Sequence, residues 1–358
     1  MGGPIRTGLL FGGNSAEHRV SVVSARGVAA GFDPARIECV PLAVTPSGRW
    51  LPPEISRTIL EGDAAAVPEP DPAAGSILGR PGGGLFLSVP GEAPARLTLD
   101  VAFPVIHGWG GEDGRLQAFL ELAGIPYVGA GVAGSAVAMD KGLARGILER
   151  EGLPMAPWRC LTAEEIRQAG GGLARDLAVT PGYPMFVKPA NGGSSVGISR
   201  VEGQSDLPAA LELALTCDSR VVVEQALDAR EIECAVLGND RPEAAIPGEI
   251  VPGAEFYTYD DKYRDGKAVL HIPAAIPDET AARIRALALQ AFRALDLAGM
   301  ARIDFLLERE SGAVYFNEAN TIPGFTPISM YSKLWEAAGL SYPDLLSRLV
   351  ELALERSR

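Results

Sequence analysis

The sequence has few cysteines, no long apolar run and no excess of positive charge. Its four cysteines are scattered without a CxxC pair, which argues against a zinc site and predicts reduced thiols. No stretch approaches the roughly 18 apolar residues of a membrane-spanning helix, and the N-terminus lacks the apolar core of a signal peptide. The net charge of −13 argues against nucleic acid or an anionic membrane as the main partner. We therefore expect a cytoplasmic protein that acts on small molecules.

The composition that is present is that of an ordinary globular protein. Its 358 residues are 47% hydrophobic and 22% charged, which predicts two or three domains with packed cores. Near the N-terminus, "IRTGLLFGGNSAEHRVSV" and "LDVAFPVIHGWGGEDGRLQAFLELAG" each predict a buried strand, a Gly-rich turn and a helix. Two such units predict a doubly wound α/β domain over residues 1–133, with both turns at its ligand-binding edge. Residues 134–224 and 225–358 are predicted to form two further α/β domains.

The stretch "MARIDFLLERESGAVYFNEAN" predicts a β-hairpin that carries polar side chains in an apolar setting. Its "ESG" tip predicts a three-residue loop and a regular ladder. That register places Asp304 opposite Glu318 and Arg302 opposite Asn320, all on one face. Because facing carboxylates repel, a cation must lie between them. Either Arg302 forms a salt-bridge network on a solvated face, or the Asp, Glu and Asn oxygens bind Mg²⁺ or Mn²⁺.

The phosphate-binding features are weaker when each is taken alone. The chain has no GxxxxGK[ST] motif, which excludes a P-loop. The loop "NGGSSVG" follows a strand ending near Lys188 and offers N–H groups, hydroxyls and charge to a phosphate, although such loops are often flexible connectors. Lys141, at a helix start after Asp140, is by itself most typical of a solvated surface lysine. Glu224 and Glu231, around Leu227, fit either an adenine and ribose contact or an exposed surface.

Glu17 and His107 are the candidate chemical groups of the N-terminal domain. Glu17 begins a helix, where an isolated acid most often complements the helix dipole. His107 ends an apolar strand, where a lone histidine is more often structural than catalytic. Neither pattern alone distinguishes a structural role from a functional one.

Seven stretches, taken together and in order, resemble a known family. They are "GGNSAEHRVS", "HGWGGEDG", "GIPYVGAGVAGSAVAMDK", "FVKPANGGSSVGISRV", "EFYTYDDKY", "ARIDFLLE" and "NEANTIPGFTPISMY". They span nearly the whole chain and resemble bacterial D-alanine–D-alanine ligases of the ATP-grasp superfamily. The resemblance implies an α/β ATP-grasp fold of three domains, the first Rossmann-like, with ATP between the central and C-terminal domains.

The same resemblance implies an activity and its cofactors. The reaction is the ATP-dependent ligation of two D-alanines through an acyl phosphate, for peptidoglycan precursor synthesis. Two Mg²⁺ ions, with Mn²⁺ as a substitute, and activation by K⁺ are implied, as is a homodimer.

Individual residues of this sequence match the family's functional positions. The implied ATP-binding residues are Lys141, Lys188, Ser195, Glu224, Leu227, Glu231 and Lys262, and the implied magnesium ligands are Asp304, Glu318 and Asn320. The implied catalytic residues are Glu17, Ser194, Tyr263, Arg302 and Gly324, of which Arg302 and the Gly324 N–H stabilise an oxyanion. The implied substrate contacts are Glu17, His107, Arg302, Ser329 and Met330, the last two at the acceptor's carboxylate.

Three alternative functions stay open. A D-lactate- or D-serine-using ligase is one, although Tyr263 favours the dipeptide because lactate-using relatives often carry histidine in this loop. A ligase for other amino acids is expected to lose Ser329 or Glu17, and a non-catalytic nucleotide-binding regulator is expected to lose Arg302 or a metal ligand. All of these residues are present. The segment carrying Tyr263 is predicted to be a lid that is mobile without ligand, and Gly193 departs from the larger residue of several relatives.

Overall fold

The two strand–turn–helix units form a parallel sheet in the computed structural model, which describes residues 3–194, 196–251, 269–326 and 328–356. Strand β1 pairs in parallel with β2 on one side and β6 on the other, so both Gly-rich turns lie at one sheet edge, as predicted. A smaller antiparallel sheet, β3–β4–β5, lies between β2 and β6 in the chain. In chain order the elements are β1 (Ile5–Gly12), α1 (His18–Gly31), β2 (Ile37–Val44), α2 (Pro53–Glu61), β3 (Ser76–Arg80), β4 (Gly84–Ser88), β5 (Ala95–Leu97), β6 (Val101–Pro104), α3 (Arg115–Ala123) and α4 (Val132–Met139).

The central region is an antiparallel sheet in the order β7–β10–β8–β9, with α8 packed against β8. Valines of the strands are buried with leucines of α8, which gives this region a core of its own. The elements are α5 (Lys141–Arg150), β7 (Trp158–Thr162), α6 (Ala163–Ala169), α7 (Leu173–Val179), β8 (Met185–Pro189), β9 (Ser199–Val201), α8 (Leu207–Cys217) and β10 (Arg220–Gln225). The strand end that carries Lys188 therefore leads directly into the Gly-Ser loop.

The C-terminal region is an antiparallel sheet in the order β14–β13–β11–β15–β16, with β12 paired to β11. Helix α9 begins at Asp278 and buries Ile284, Ala288 and Ala291 against the sheet. The elements are β11 (Ala229–Gly238), β12 (Glu243–Ala244), β13 (Gly248–Val251), β14 (Val269–His271), α9 (Asp278–Ala294), β15 (Gly299–Glu308), β16 (Val314–Asn320), α10 (Met330–Ala337) and α11 (Tyr342–Arg356). Within the described ranges, no helix has the length and apolar composition needed to cross a membrane. The division at residues 133 and 224 stays a prediction.

The predicted register of the β15–β16 hairpin is confirmed at its polar end. Arg302 faces Asn320, and Asp304 faces Glu318. The regular ladder predicted for the rest of the hairpin is wrong, because the register shifts after Asp304. Beyond that point Phe305 faces Phe316, so β16 has an extra residue there, and the connecting loop is 309–312 instead of 310–312.

The physical reason for this β-bulge is the burial of Phe316. In a regular strand Phe316 would share a face with Glu318 and Asn320, because side chains alternate with a period of two. The bulge turns Phe316 to the opposite face, where it is buried and meets Phe305 edge-on at 6.4 Å between ring centroids. Burying a phenylalanine side chain stabilises the fold by about 2 kcal/mol. One extra residue thus allows the same strand to serve the core and the polar site.

Candidate active site

A cavity of about 310 Å³ lies where the N-terminal sheet edge, the Gly-Ser loop, the hairpin and helix α10 meet. Small-molecule sites commonly fall between about 300 and 1,000 Å³. Its lining includes many of the residues singled out from the sequence: Glu17, His107, Lys141, Ser194, Arg302, Glu318, Asn320, Gly324, Ser329 and Met330. The fold therefore brings the N-terminal, central and C-terminal candidates to one place.

Other sequence-predicted residues lie elsewhere. Lys188, Glu224, Leu227 and Glu231 are on or next to β8, β10 and β11 and do not line this cavity, and Asp304 bonds to the cavity residue Arg302. Ser195, Lys262 and Tyr263, with the predicted lid, lie outside the described residues. The roles assigned to all of these residues stay predictions.

Arg302 is held by two carboxylates on neighbouring strands. Its Nε and Nη2 atoms donate to the two carboxylate oxygens of Asp304 at 2.8 and 2.7 Å. Glu233 on β11 faces Asp304 across the sheet, and its Oε2 lies 3.1 Å from Arg302 Nε. Burial alone would lower the pKa of Arg302, but Asp304 and Glu233 together raise it well above its ordinary value. The guanidinium is therefore charged and fixed in orientation.

Glu233 was missed in the sequence, although a signal was present. It lies two residues after Glu231 in "REIECAV", so strand alternation puts both acids on one face. A second acid at that spacing in an apolar strand indicates a cationic partner, and the partner is Arg302.

The predicted magnesium ligands have a donor chemistry that fits the ion. Asn320 Nδ2 donates to Asp304 Oδ2 at 2.9 Å, and Glu318 Oε2 lies 3.7 Å from Lys141 Nζ. Over the described ranges no cluster of three or more His, Cys, Asp or Glu side chains is suited to hold a metal. Mg²⁺ needs few protein oxygens, because it completes its shell with water and phosphate oxygens. Two carboxylates and an amide on adjacent strands therefore fit magnesium shared with a nucleotide.

Lys141 connects the central region to the hairpin. It begins helix α5, is buried, and donates from Nζ to the Gly192 carbonyl at 2.7 Å. Burial lowers its pKa, and the nearby Glu318 partly offsets that effect. The surface position considered from the sequence is therefore wrong, because this ammonium points into the cavity wall.

Glu17 lies against two glycines that leave room for it. A Cβ atom at Gly108 would lie 2.7 Å from Glu17 Oε2, and one at Gly193 would lie 3.1 Å from it. Gly193 thus lets the Gly-Ser loop approach Glu17 closely, and a larger residue there would require a small shift of the Glu17 carboxylate. The adjacent Ser194 is buried in a left-handed conformation, with φ of 52°, and its hydroxyl has no hydrogen-bond partner among the residues described.

His107 is neutral and fully engaged by protein groups. Its Nδ1 lies 2.9 Å from the Ile322 carbonyl oxygen, and its Nε2 lies 2.9 Å from Ser24 Oγ. Burial lowers the pKa of His107, although the charge of Glu17 acts in the opposite direction. The arrangement fits a neutral ring whose Nδ1–H donates to Ile322 and whose Nε2 accepts from Ser24.

Glu112 is a cavity residue that was not selected from the sequence. Its Oε2 accepts from the Gly108 N–H and its Oε1 from the Ile322 N–H, both at 2.8 Å. Burial, with repulsion from Glu17 and then Glu318, raises the pKa of Glu112 to about 7 despite these two hydrogen bonds. The signal was its place in "HGWGGEDG", five residues after a histidine already considered.

The turn after β16 presents Gly324 beside the start of helix α10. A Cβ atom at Gly324 would lie 2.7 Å from Ser329 Oγ, so only glycine allows this close approach. Ser329 Oγ accepts from the Thr326 N–H at 3.0 Å and precedes Met330, the first residue of α10. Unpaired N–H groups at a helix start favour an anion such as a carboxylate.

Two family models match the chain, one described as "D-ala D-ala ligase N-terminus" over residues 6–130 and one as "D-ala D-ala ligase C-terminus" over residues 147–351. The chain belongs to the D-alanine–D-alanine ligase family. A D-alanine–D-alanine ligase A of Chromobacterium violaceum is 49% identical, covering 99% of this chain and 97% of the relative. A D-alanine–D-alanine ligase of Deinococcus radiodurans is 48% identical, covering 97% of this chain and 98% of the relative.

Solved structures of the ligase family match over almost the whole length. The D-alanine–D-alanine ligase of Coxiella burnetii has a TM-score of 0.83 and 34% identity, covering 99% of this chain and 95% of that one. The VanG D-Ala:D-Ser ligase of Enterococcus faecalis has a TM-score of 0.82 and 32% identity, covering 98% and 99%. The ATP-grasp fold predicted for the chain is confirmed by these matches. The ligase family uses ATP and small-molecule substrates.

A cluster of three charged side chains lies beside the cavity. Glu224 forms ion pairs with Arg145 of helix α5 and with Lys188 of β8. Burial alone would raise the pKa of Glu224, but Arg145 and then Lys188 lower it below its ordinary value. Arg145 was missed in the sequence because it reads as one of several charged residues on an amphipathic helix.

Proposed function

We propose that the chain ligates two D-alanines to D-alanyl-D-alanine with ATP, releasing ADP and phosphate, in peptidoglycan precursor synthesis. The observation that supports this best is the cavity that unites Lys141, Arg302, Gly324 and Ser329. These groups supply what an acid–amine ligase needs: charge for a phosphoryl group, an oxyanion site and a site for the acceptor's carboxylate.

The first step makes the carboxylate of one D-alanine reactive. A carboxylate oxygen attacks the γ-phosphorus of ATP, the bond to ADP breaks, and an acyl phosphate forms. Lys141 lies in the cavity wall, and Lys188, Ser195 and Lys262 are the further proposed phosphate ligands. Glu17 is the proposed partner of the ammonium of this D-alanine, and Ser194 and Tyr263 are the proposed residues that link to Glu17.

Asp304, Glu318 and Asn320 are the proposed ligands of two Mg²⁺ ions, which neutralise phosphate charge when bound and can be replaced by Mn²⁺. Glu224, Leu227 and Glu231 are the proposed contacts of the adenine and ribose. Because both ring nitrogens of His107 are engaged by protein, its proposed contact with the first D-alanine is through the ring edge.

The second step forms the peptide bond. The neutral amine of the second D-alanine attacks the acyl carbon. The resulting oxyanion collapses, the bond to the phosphate oxygen breaks, and phosphate leaves with the proton lost from the amine. Arg302 and the Gly324 N–H stabilise that oxyanion, while Ser329 Oγ and the Met330 N–H hold the acceptor's carboxylate. Water must be excluded, since an acyl phosphate hydrolyses readily.

The test measures ADP and dipeptide with Mg²⁺, ATP and an acceptor panel of D-alanine, D-serine and D-lactate. We expect ADP formation that depends on D-alanine, and a product with the mass of the dipeptide. The likeness to a D-Ala:D-Ser ligase makes D-serine the sharpest competitor. A preference for D-serine, or for D-lactate near neutral pH, would overturn the dipeptide assignment.

We further propose a homodimer that is activated by K⁺ and, because it uses ATP, acts in the cytoplasm. Light scattering of the purified chain tests the dimer, and a single-chain mass would contradict it. Replacing K⁺ by Na⁺ in the same assay tests the activation.

A further inference from the structure

The backbone N–H and C=O of Ile322 are both held by one N-terminal loop. Its N–H donates to Glu112 Oε1 at 2.8 Å, and its carbonyl accepts from His107 Nδ1 at 2.9 Å. Thr321 Oγ1 also lies 3.4 Å from Glu112 Oε1. The other oxygen of Glu112 accepts from the Gly108 N–H, which ties the carboxylate back to its own loop. We call these contacts the Ile322 clamp.

The Ile322 clamp lies at a sensitive point of the chain. Ile322 is two residues after Asn320, a proposed metal ligand, and two before Gly324, a proposed oxyanion donor. It thus fixes the segment that leads from the hairpin to Ser329, using a loop more than 200 residues away in the sequence. A displacement of about 1 Å in such a segment can cost about 100-fold in rate.

If stability were the only requirement, an acid at position 112 would be unfavourable. Glu112 is half-buried in the wall of a cavity that is also lined by Glu17, Glu233 and Glu318. Burying a carboxylate beside other carboxylates is costly unless its oxygens are hydrogen-bonded. Each oxygen accepts a hydrogen bond from a backbone N–H, one from Gly108 and one from Ile322. An amide side chain has only one such oxygen.

We propose that Glu112 is a positioning residue of the ligation reaction, which holds the turn at Ile322 so that Gly324 and Ser329 meet the acyl phosphate and the acceptor in register. This inference rests on the proposed function. Glu112 acts through the turn and is assigned no bond to a substrate.

The experiment compares Glu112→Gln with Asp113→Asn in the full-length chain. Asp113 is a matched control because its contacts among the described residues are with its own loop and the start of α3. Its carboxylate accepts from Gly110 N–H at 2.8 Å and Arg115 N–H at 3.2 Å and lies 3.5 Å from the Arg115 guanidinium. Each variant is assayed for kcat, for KM of ATP, and for the ratio of ADP to dipeptide formed, and each is unfolded thermally.

For Glu112→Gln we expect kcat for dipeptide to fall about 10- to 100-fold while KM for ATP is unchanged. The ratio of ADP to dipeptide should rise, because a misplaced turn slows the amine, which must be positioned, more than water, which need not be. Asp113→Asn should keep both kcat and the ratio of the unmodified chain.

An unchanged kcat and ratio in Glu112→Gln would overturn the proposal. So would equal losses of ADP and dipeptide with a lower Tm, since that result indicates a merely structural residue. If the unmodified chain forms no dipeptide, the proposed function fails first, and the two failures are distinguishable.

Discussion

Helix α5 contributes one cation to each of two clusters of charged side chains, which differ in their ratio of acids to cations. Arg145 enters the cluster with Glu224 and Lys188, where one carboxylate faces two cations. Lys141, one helical turn earlier, lines the cavity. Among the described lining residues, acids outnumber cations there: Glu17, Glu112, Glu233 and Glu318 against Lys141, Arg302 and Lys333. The first cluster therefore has one more cation than acid, whereas the second has an excess of acid that magnesium and substrate ammonium groups would offset.

The largest loss of activity is expected when the central cation of the cavity is removed. Arg302→Ala leaves Asp304 and Glu233 facing each other and removes the proposed oxyanion contact. We expect kcat to fall about 100- to 1,000-fold. Arg309→Ala is the control, because Arg309 lies at the exposed tip of the same hairpin. Rates of dipeptide formation decide the matter, and similar losses in both variants would contradict a role specific to Arg302.

The next largest effect tests whether the excess acid binds metal. Glu318→Gln keeps the shape of the side chain but removes its charge, so we expect a kcat at least about 10-fold lower and a higher Mg²⁺ requirement. Titrating Mg²⁺ in the ligation assay measures both. Full activity at the ordinary Mg²⁺ concentration would eliminate the two-metal proposal.

Disrupting the buried cluster of Arg145, Glu224 and Lys188 should lower the stability of the fold. Arg145→Met keeps the volume but leaves Glu224 with only one of its two ion-pair partners, and breaking a buried pair costs about 3–5 kcal/mol. Since Lys188 stays in place, we expect a loss near the lower end of that range in urea unfolding. Arg150→Met, at the exposed end of the same helix, is expected to change the free energy of unfolding by less than about 0.5 kcal/mol. Equal losses of unfolding free energy in the two variants would show that the buried ion pairs of Glu224 contribute no more than an exposed arginine does.

The smallest expected effect is a pH dependence in the metal-free protein. Burial and the Glu17 charge raise the pKa of Glu112 to about 7 from 4.5, so the folded state favours its protonated form. Its stabilising contribution is full below pH 4.5 and is lost as pH rises towards 7, by at most about 3 kcal/mol. Between pH 5 and 8 the unmodified chain should therefore lose stability relative to Glu112→Gln. Parallel unfolding curves for the two proteins across this range would refute the raised pKa.

The sequence predicts local features and the pairs that a hairpin forces together. The turns after β1 and β6 share an edge as expected, and the Asp304–Glu318 pair follows from strand alternation. Partners brought together by tertiary folding are not predictable in this way. Arg145 meets Glu224 and Glu112 meets Ile322 only because separate elements pack together.

The hairpin shows why even local prediction failed in part. A regular ladder correctly placed Asp304 opposite Glu318, and the residues of the predicted turn gave no reason to expect a bulge. The overlooked signal was Phe316, an aromatic residue that a regular strand would place on the same face as Glu318 and Asn320. Core packing overrides a regular ladder when the alternative exposes a large apolar side chain to a charged cavity.

The bulge also bears on how this strand can change in evolution. Deleting Asn317, the residue without a facing partner, would restore a regular hairpin but force either Phe316 or Glu318 onto the wrong face. Insertions and deletions in the loop at 309–312 meet no such conflict, because that loop lies beyond the bulge and its side chains are exposed or half-buried. We therefore expect related ligases to differ freely in the length of the hairpin tip while keeping constant the number of residues between Phe316 and Asn320.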